Sequence, residues 1–382
     1  MINYYELGPH KLLNEIVMVG SHDAGVTFGK GNTQTQDLDI YEQAEAGVRF
    51  FDIRITAAVV KKGGAADVMA LKAYHGKGPE SKKAAINIRT GHTERAKVKS
   101  LWAGEYGMTL SKMLSDASKF VTKNNTEFLI LKFDKCHNWP MIAEACVNVL
   151  GPDVIYTYSG TGDLNSKSLR ELRGKVIVIF QEKGRQAVRQ LYGPDQGILG
   201  FTNLWNGGAY KDDYPGLQYK GKGGTSIFKP FNKVEQNIKK QTKVMTATSR
   251  KVKSGKWYKR KTKIRVDDNP SIVGMMYWTT TGINESIRDR DSGMWTQPNV
   301  QRMQSMWNNG LESAIASRTD KLSRIDGFDK GAVLKAFMPN IVMIDFADPT
   351  KCKHIFELNT VPPTFLISSM QNFRLLDTAT HG

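Results

Sequence analysis

Cysteine is scarce in this chain. Three of its 382 residues are thiols, Cys136, Cys146 and Cys352, and none sits in a Cys-x-x-Cys pair. That spacing argues against a zinc ribbon or a disulfide framework and leaves buried or idle thiols. Long apolar runs are missing too. No stretch reaches the ~20 uninterrupted apolar residues that a bilayer-spanning helix needs. Residues Met1 to Glu6 have neither a basic start nor an apolar stretch, so no secretory signal is visible. Export would then call for a dedicated secretion system. Acidic residues are in deficit: 37 Asp and Glu stand against 54 Lys and Arg, a formal net charge of +17. The excess points to an anionic partner, nucleic acid or a membrane face rich in acidic lipid.

What is present is otherwise ordinary for a globular protein, 40% hydrophobic and 24% charged. The length allows one large barrel or two domains. The chain is organised around Met18-Val19-Gly20-Ser21-His22-Asp23-Ala24-Gly25. An apolar run from Ile16 to Val19 stops at glycine and delivers a histidine beside an aspartate. This reads as a short buried strand that presents an acid–base pair at a tight turn. After a polar, flexible stretch over 27–36, Asp39 to Glu45 reads as a helix ending at Gly47. Val48 to Ile55 then alternates with period two. Phe51, Ile53 and Ile55 share one face; Phe50, Asp52 and Arg54 share the other. A carboxylate and a guanidinium pointing the same way line a polar cavity, because isolated buried pairs are costly.

Val68 to Tyr74 reads as the next strand and ends at His75-Gly76. A basic, loop-like insert follows over 78–99, with His92 in a solvated loop. Leu110 to Val121 is an amphipathic helix with Leu110, Met113, Leu114 and Ala117 on one face. Further strands are expected at Phe128–Phe133, Val154–Tyr158, Val176–Phe180, Met275–Trp278 and Ile341–Phe346, with helices at Met141–Leu150, Leu169–Leu172 and Val333–Met338. The recurrence of strand and helix argues for a parallel sheet with helices outside, and about eight strands suit a (β/α)8 barrel. His22, Asp52, Arg54, His75, Lys132 or Lys135, and Asp345 lie in or at the ends of such strands, and those ends share one rim.

One segment departs from this pattern. Residues 239–265 hold twelve basic residues and no acidic one. Ser254-Gly255 reads as a hairpin turn, with Trp257 and Tyr258 just after it. The insertion is either a solvated flexible arm or a basic finger laid on anionic lipid. In the second reading Lys256, Lys259, Arg260 and Lys261 meet phosphates while Trp257 and Tyr258 sit at headgroup level.

Two histidines at strand ends can act as base and acid, one taking a proton from an attacking hydroxyl and one giving a proton to a leaving oxygen. A guanidinium between them matches phosphate oxygens. Asp345 could orient one histidine through its second ring nitrogen. Together these side chains suit metal-free cleavage of a phosphodiester by a hydroxyl nucleophile.

The stretches Gly20-Ser21-His22-Asp23-Ala24-Gly25, Gln43…Gly47-Val48-Arg49-Phe50-Phe51-Asp52-Ile53-Arg54 and Tyr74-His75-Gly76 resemble the X domain of phosphatidylinositol-specific phospholipase C. Residues 124–131, 172–179 and 342–346 look like later strands of that family, and order and spacing agree over about residues 10–360. The resemblance implies one domain, a distorted (β/α)8 barrel of TIM type carrying the basic insertion. It implies attack of the inositol 2-hydroxyl on the adjacent phosphorus, release of diacylglycerol and formation of inositol 1,2-cyclic phosphate. On the matching positions His22 is the general base, Asp345 its orienting partner, and His75 the general acid, assisted by Asp23. Arg54 stabilises the phosphorane, and Asp52 holds Arg54 or His75. Eukaryotic members place a calcium-binding carboxylate where Arg54 stands, so this chain resembles the metal-independent bacterial branch, with no cofactor. Lys132 or Lys135 would fill part of the calcium space.

The sequence also departs from the family. Gln181-Glu182-Lys183 stands where bacterial relatives often carry an inositol-binding arginine. Asp213, Tyr214 and Tyr219 are the candidates for pocket aspartate and tyrosine. The expected partner is an anionic membrane surface bearing phosphatidylinositol. The competing readings are a non-catalytic lipid-binding module, a nucleic-acid-binding protein using residues 239–265, and a metal-dependent phosphodiesterase acting on other phospholipids.

Overall fold

The computed structural model describes residues 1–158, 160–206, 208–224, 233–245, 249–254, 261–266, 271–280, 286–305 and 339–360. The chain enters through β1 (Met18–Ser21), α1 (Ile40–Ala46) and β2 (Val48–Ile53). Five strands follow as an excursion: β3 (Ile55–Lys61), β4 (Asp67–Lys77), β5 (Glu80–Asn87), β6 (Thr93–Lys99) and β7 (Ala103–Thr109). Next come α2 (Leu110–Lys123), β8 (Phe128–Phe133), α3 (Trp139–Val154), the short α4 (Leu169–Leu172) and β9 (Lys175–Gln181). Then follow α5 (Glu182–Val188), β10 (Ile198–Asn203), β11 (Gly216–Gly221) and α6 (Lys233–Met245). The pair β12 (Ser249–Ser254) and β13 (Lys261–Val266) precedes β14 (Val273–Tyr277), α7 (Ile287–Met294), α8 (Gln297–Ser305), β15 (Ile341–Ile344) and α9 (Pro349–Phe356).

Eight of these strands close into a barrel in the order β1-β15-β14-β11-β10-β9-β8-β2. Every neighbouring pair is parallel. Period-two alternation sorts each strand between two cores. Met18, Phe50, Ile130, Ile177, Leu199, Leu217, Met275 and Met343 fill the interior. Val19, Phe51, Leu129, Val178, Ile198, Met276 and Val342 face the helices. Gly20 has no room for a side chain, since a Cβ there would come within 2.3 Å of Met343 Sδ. Local signals set the helix ends. The Asp39 carboxylate caps α1 by accepting from Glu42 N–H, and Gly47 ends it at φ +128°. Met113, Leu114 and Ala117 are buried along α2, the face expected from its periodicity.

Several expectations need correction. The Val68–Tyr74 run is not a barrel strand. It belongs to β4 in a side sheet of order β3-β6-β5-β4-β7, where β3 and β4 also pair. Residues 78–99 are mostly the strands β5 and β6 rather than loop, and they cover a small core of Ala57, Met69, Ala85, Ala96 and Val98. Short alanine-rich strands between lysines give a weak apolar alternation, which is why they read as loop. Val154–Tyr158 makes only a single bridge at Ile155. The strands that complete the barrel instead are β10, interrupted by Gly200, and β11, bounded by Gly216 and Gly221. Residues 27–36 hold buried Thr33, Thr35 and Gln36 and make a bonded turn, not a loose one. The helix expected at Val333–Met338 lies outside the described residues. Strands β12 and β13 do pair antiparallel, Ser254 opposite Lys261. The residues between them, 255–260, lie outside the described set, and with them Trp257, Tyr258, Lys256, Lys259 and Arg260.

Candidate active site

The barrel puts one inward-facing position of nearly every strand at its C-terminal rim. Two residues beyond the last apolar interior side chain lie Asp52 on β2, Lys132 on β8, Asn203 on β10 and Tyr277 on β14. Asp345 occupies the same position just past β15, and His22, two residues beyond Gly20, lies level with it just past β1. A pocket of about 410 Å³ opens there, lined among others by His22, Asp52, Arg54, Tyr219 and Tyr277. That volume suits a small polar headgroup.

Asp23 is the hub of the site. It follows the end of β1 at φ +44°, in the left-handed region that an aspartate enters at a cost of about 1 kcal/mol. Its Oδ1 lies 2.8 Å from Arg54 Nε, an ion pair whose N–H is not aligned for a hydrogen bond. Its Oδ2 lies 2.8 Å from His75 Nδ1 and 3.7 Å from His22 Nε2. One oxygen therefore holds both rings, and those two nitrogens stand no farther apart than these distances together. Burial works against this charge, but Arg54 and the two imidazoles hold the carboxyl well below the usual carboxylate range. Arg54 is raised in turn: burial opposes its charge, and Asp23, Asp52 and Asp134 together more than offset it.

His22 is also bonded from behind, with Nδ1 2.9 Å from buried Asp345 Oδ1. Burial disfavours the imidazolium, but Asp23 and Asp345 outweigh it and raise the ring to about 9. Buried Gln36 ties the two strand ends together. Its side-chain amide donates to the carbonyls of His22 and Ile344 and accepts from Ala347 N–H. Thr35 fixes the turn by donating to Asp23 O. His75 comes from outside the barrel, on β4 opposite Glu105 of β7. Gly76 follows at φ +136°, where a Cβ would meet Ala103 O at 2.1 Å, so the close strand pairing that places His75 needs glycine.

Asp52 takes a partner the sequence did not give it. It holds neither Arg54 nor His75 by a hydrogen bond. Register sets Asp52 beside Lys132, and the two form a buried ion pair at 2.8 Å. Lys132 also reaches Asp134 at 3.3 Å. Burial opposes the charge on Lys132, yet Asp52, with Tyr277, Tyr219 and Asp134 beside it, raises it well above the ordinary lysine value. His22, Asp23 and Asp52 offer ligand atoms within 4.8 Å of one another, close enough to bridge a divalent ion. The site does not fit one, because both carboxylates are already matched by fixed cations, Arg54 on Asp23 and Lys132 on Asp52.

Of the remaining candidates, Lys135 and Tyr219 line the pocket and Lys132 backs it. Burial pushes the Tyr219 hydroxyl up to about 12. Asp213 and Tyr214 do not line it. Asp213 is exposed ahead of β11, and Tyr214 packs beside Gly200 and Arg185 on the outer face of β10. Strand and loop look alike in this glycine-rich stretch, so their side was not legible. Sequence reasoning missed Tyr277, whose ring meets His22 edge-on at 6.0 Å. The signal was there: Tyr277 ends an apolar strand in the same way as the other rim residues. Asn203, Lys222 and Lys240 were missed with the strands and helix that carry them. Gln36 and Thr35 left no signal beyond their polarity.

No family model matches the chain, and none of the curated proteins does. Among solved structures it is similar to the phosphatidylinositol-specific phospholipase C of Listeria monocytogenes, with 16% identity and a TM-score of 0.46 over 92% of this chain and 95% of that one. It is similar to the Staphylococcus aureus phosphatidylinositol-specific phospholipase C, with 16% identity and a TM-score of 0.49 over 93% and 95%. A calcium-dependent phosphoinositol-specific phospholipase C from Pseudomonas sp. matches with 13% identity and a TM-score of 0.32 over 56% of this chain and 77% of that one.

Proposed function

We propose that this protein cleaves the phosphodiester of phosphatidylinositol without a metal ion. One observation carries the reading: two imidazoles and a guanidinium share the buried Asp23 carboxylate, and two of the three, His22 and Arg54, line one pocket. The inositol 2-hydroxyl attacks phosphorus and a new O–P bond forms. His22 Nε2 takes the hydroxyl proton, and Asp345 steadies the imidazolium through Nδ1. The O–P bond to diacylglycerol breaks, and His75 gives its proton to the leaving oxygen. Arg54 neutralises charge on the equatorial oxygens. Asp23 positions Arg54 and His75, and the Asp52–Lys132 ion pair backs the pocket. The products are diacylglycerol and inositol 1,2-cyclic phosphate.

The substrate lies in a bilayer surface, which the net charge of +17 favours. No helix among the described residues is long and apolar enough to cross a membrane. The basic insertion, with Lys261 in β13, is placed on that surface in this reading.

The test is phosphorus NMR of products from phosphatidylinositol vesicles in the presence of EDTA. Cyclic inositol phosphate at an undiminished rate is expected. Loss of turnover under EDTA overturns the metal-free mechanism, and no turnover at all overturns the substrate. The raised His22 adds a condition. A ring that ionises near pH 9 is protonated in the resting protein at neutral pH. As a general base it makes kcat/KM climb about tenfold per pH unit up to that point. A profile that falls over the same window exchanges the roles of the two histidines.

A further inference from the structure

The pocket has two cationic poles. In the order around the barrel, β11 is the fourth neighbour of β2 in either direction, so the two strands are diametrically opposed. Arg54 follows β2 directly, and Lys222 follows β11 directly. Both line the same pocket. The proposed reaction uses only the β2 side.

The far pole is built, not incidental. Asn203 at the end of β10 fixes the residue before Lys222, donating to Gly221 O at 2.9 Å and accepting from Gly221 N–H. The Lys222 ammonium stands 5.5 Å over the Trp205 ring. Lys240 of α6 donates to the carbonyls of Gly223 and Gly224, which line the pocket too. Those carbonyls are thereby occupied and do not repel an incoming anion. The carboxylates on the lining, Asp52 and Asp134, are both held by Lys132 on the opposite side. Among the described residues Lys222 has no carboxylate within ion-pair distance.

We infer that this pole binds a second anionic group, a phosphomonoester on the headgroup remote from the scissile phosphodiester. The inference rests on the proposed reading and narrows its substrate to phosphorylated inositol lipids. In a six-membered ring, positions 1 and 4 are farthest apart. With its 1-phosphate on Arg54, an inositol carries a 4-phosphate across the mouth toward Lys222. A single phosphodiester has one negative charge and leaves the second pole unmatched. A dianionic monoester matches it.

Calorimetric binding of inositol 1-phosphate and inositol 1,4-bisphosphate to the full chain tests this without requiring turnover. The bisphosphate is expected to bind about tenfold tighter or better. Lys222→Gln should collapse that ratio toward one, and Lys222→Arg should restore most of it. Lys353→Gln on α9, an exposed lysine far along the chain, removes the same charge and should leave the ratio intact. Equal affinities, or a ratio that Lys353→Gln lowers as much as Lys222→Gln, overturn the subsite. Selective binding, with no cyclic product from vesicles of phosphatidylinositol or of phosphatidylinositol 4-phosphate, would retain the subsite and overturn the catalytic reading instead.

Discussion

Strand β2 carries an arginine near each end, and the two have opposite fates. Arg49, near the start, is wholly buried. It lies 2.5 Å from Glu127, donates to the carbonyls of Ala44, Val48 and Ile2, and stacks over Tyr4 and Phe120. Every face of that guanidinium is used. Arg54, just past the other end, is 20% exposed and among the described residues has one ion pair, to Asp23, without hydrogen-bond alignment. Among the described residues its terminal nitrogens have no hydrogen-bonded partner. A saturated guanidinium holds a fold together; an unsaturated one beside a pocket is ready to take an anion. Around it the backbone is also strained. Asp23, Lys135 and Phe346 adopt positive φ just past β1, β8 and β15, on the rim that carries the pocket. Residue type alone does not separate the two roles; the state of the donors does.

The contrast is broken most directly by removing each arginine in turn. Arg54→Gln should lower kcat by about 10²–10³ with a smaller loss of melting temperature than Arg49→Gln, because both imidazoles still face the buried Asp23 carboxylate, read by vesicle turnover and calorimetry. Arg49→Gln should do the reverse. It leaves Glu127 charged and buried, costs about 3–5 kcal/mol in denaturant unfolding, and spares the turnover of the molecules that stay folded. A catalytic loss of equal size in both variants would erase the distinction.

A smaller effect is expected at Asp345. Asp345→Asn removes one of the two carboxylates that raise His22, so the acid limb of kcat/KM should move below pH 9. An unmoved limb would assign that ionisation elsewhere. The smallest effect is on stability. Because the folded state raises His22 from 6.5 to about 9, protonation favours folding. That contribution is complete below about pH 6.5 and fades as pH rises through about 9. Denaturant unfolding at the two ends of this window should differ by at most about 3 kcal/mol, and His22→Asn should flatten the difference.

Much of the barrel could be read in advance because period two is a local property. The runs at Val48–Ile55, Phe128–Phe133, Val176–Phe180 and Ile341–Phe346 each announce a strand, and the alternation at Val48–Ile55 also gives its two faces. Where alternation weakens, the reading weakened too. Strands β10 and β11 hide behind Gly200, Gly216 and Gly221, and the side sheet hides behind its lysines. The rim histidines could be found because glycine marks the turns that carry them. The partner of Asp52 could not, because nothing local fixes which residue of β8 lies beside it.

The amino-acid order by itself determined which side chains could carry acid–base and phosphate chemistry, and that His22, Asp52, Arg54 and Asp345 would arrive at strand ends. Only the tertiary structure decided who meets whom. It put His22, His75 and Arg54 on one carboxylate, gave Asp52 to Lys132, and set Lys222 across the pocket from Arg54. The physical reason is register and closure. Alternation along a strand is written in the chain, whereas the neighbour of each strand, and the residue that faces it across the barrel, follow from packing a whole sheet into a ring.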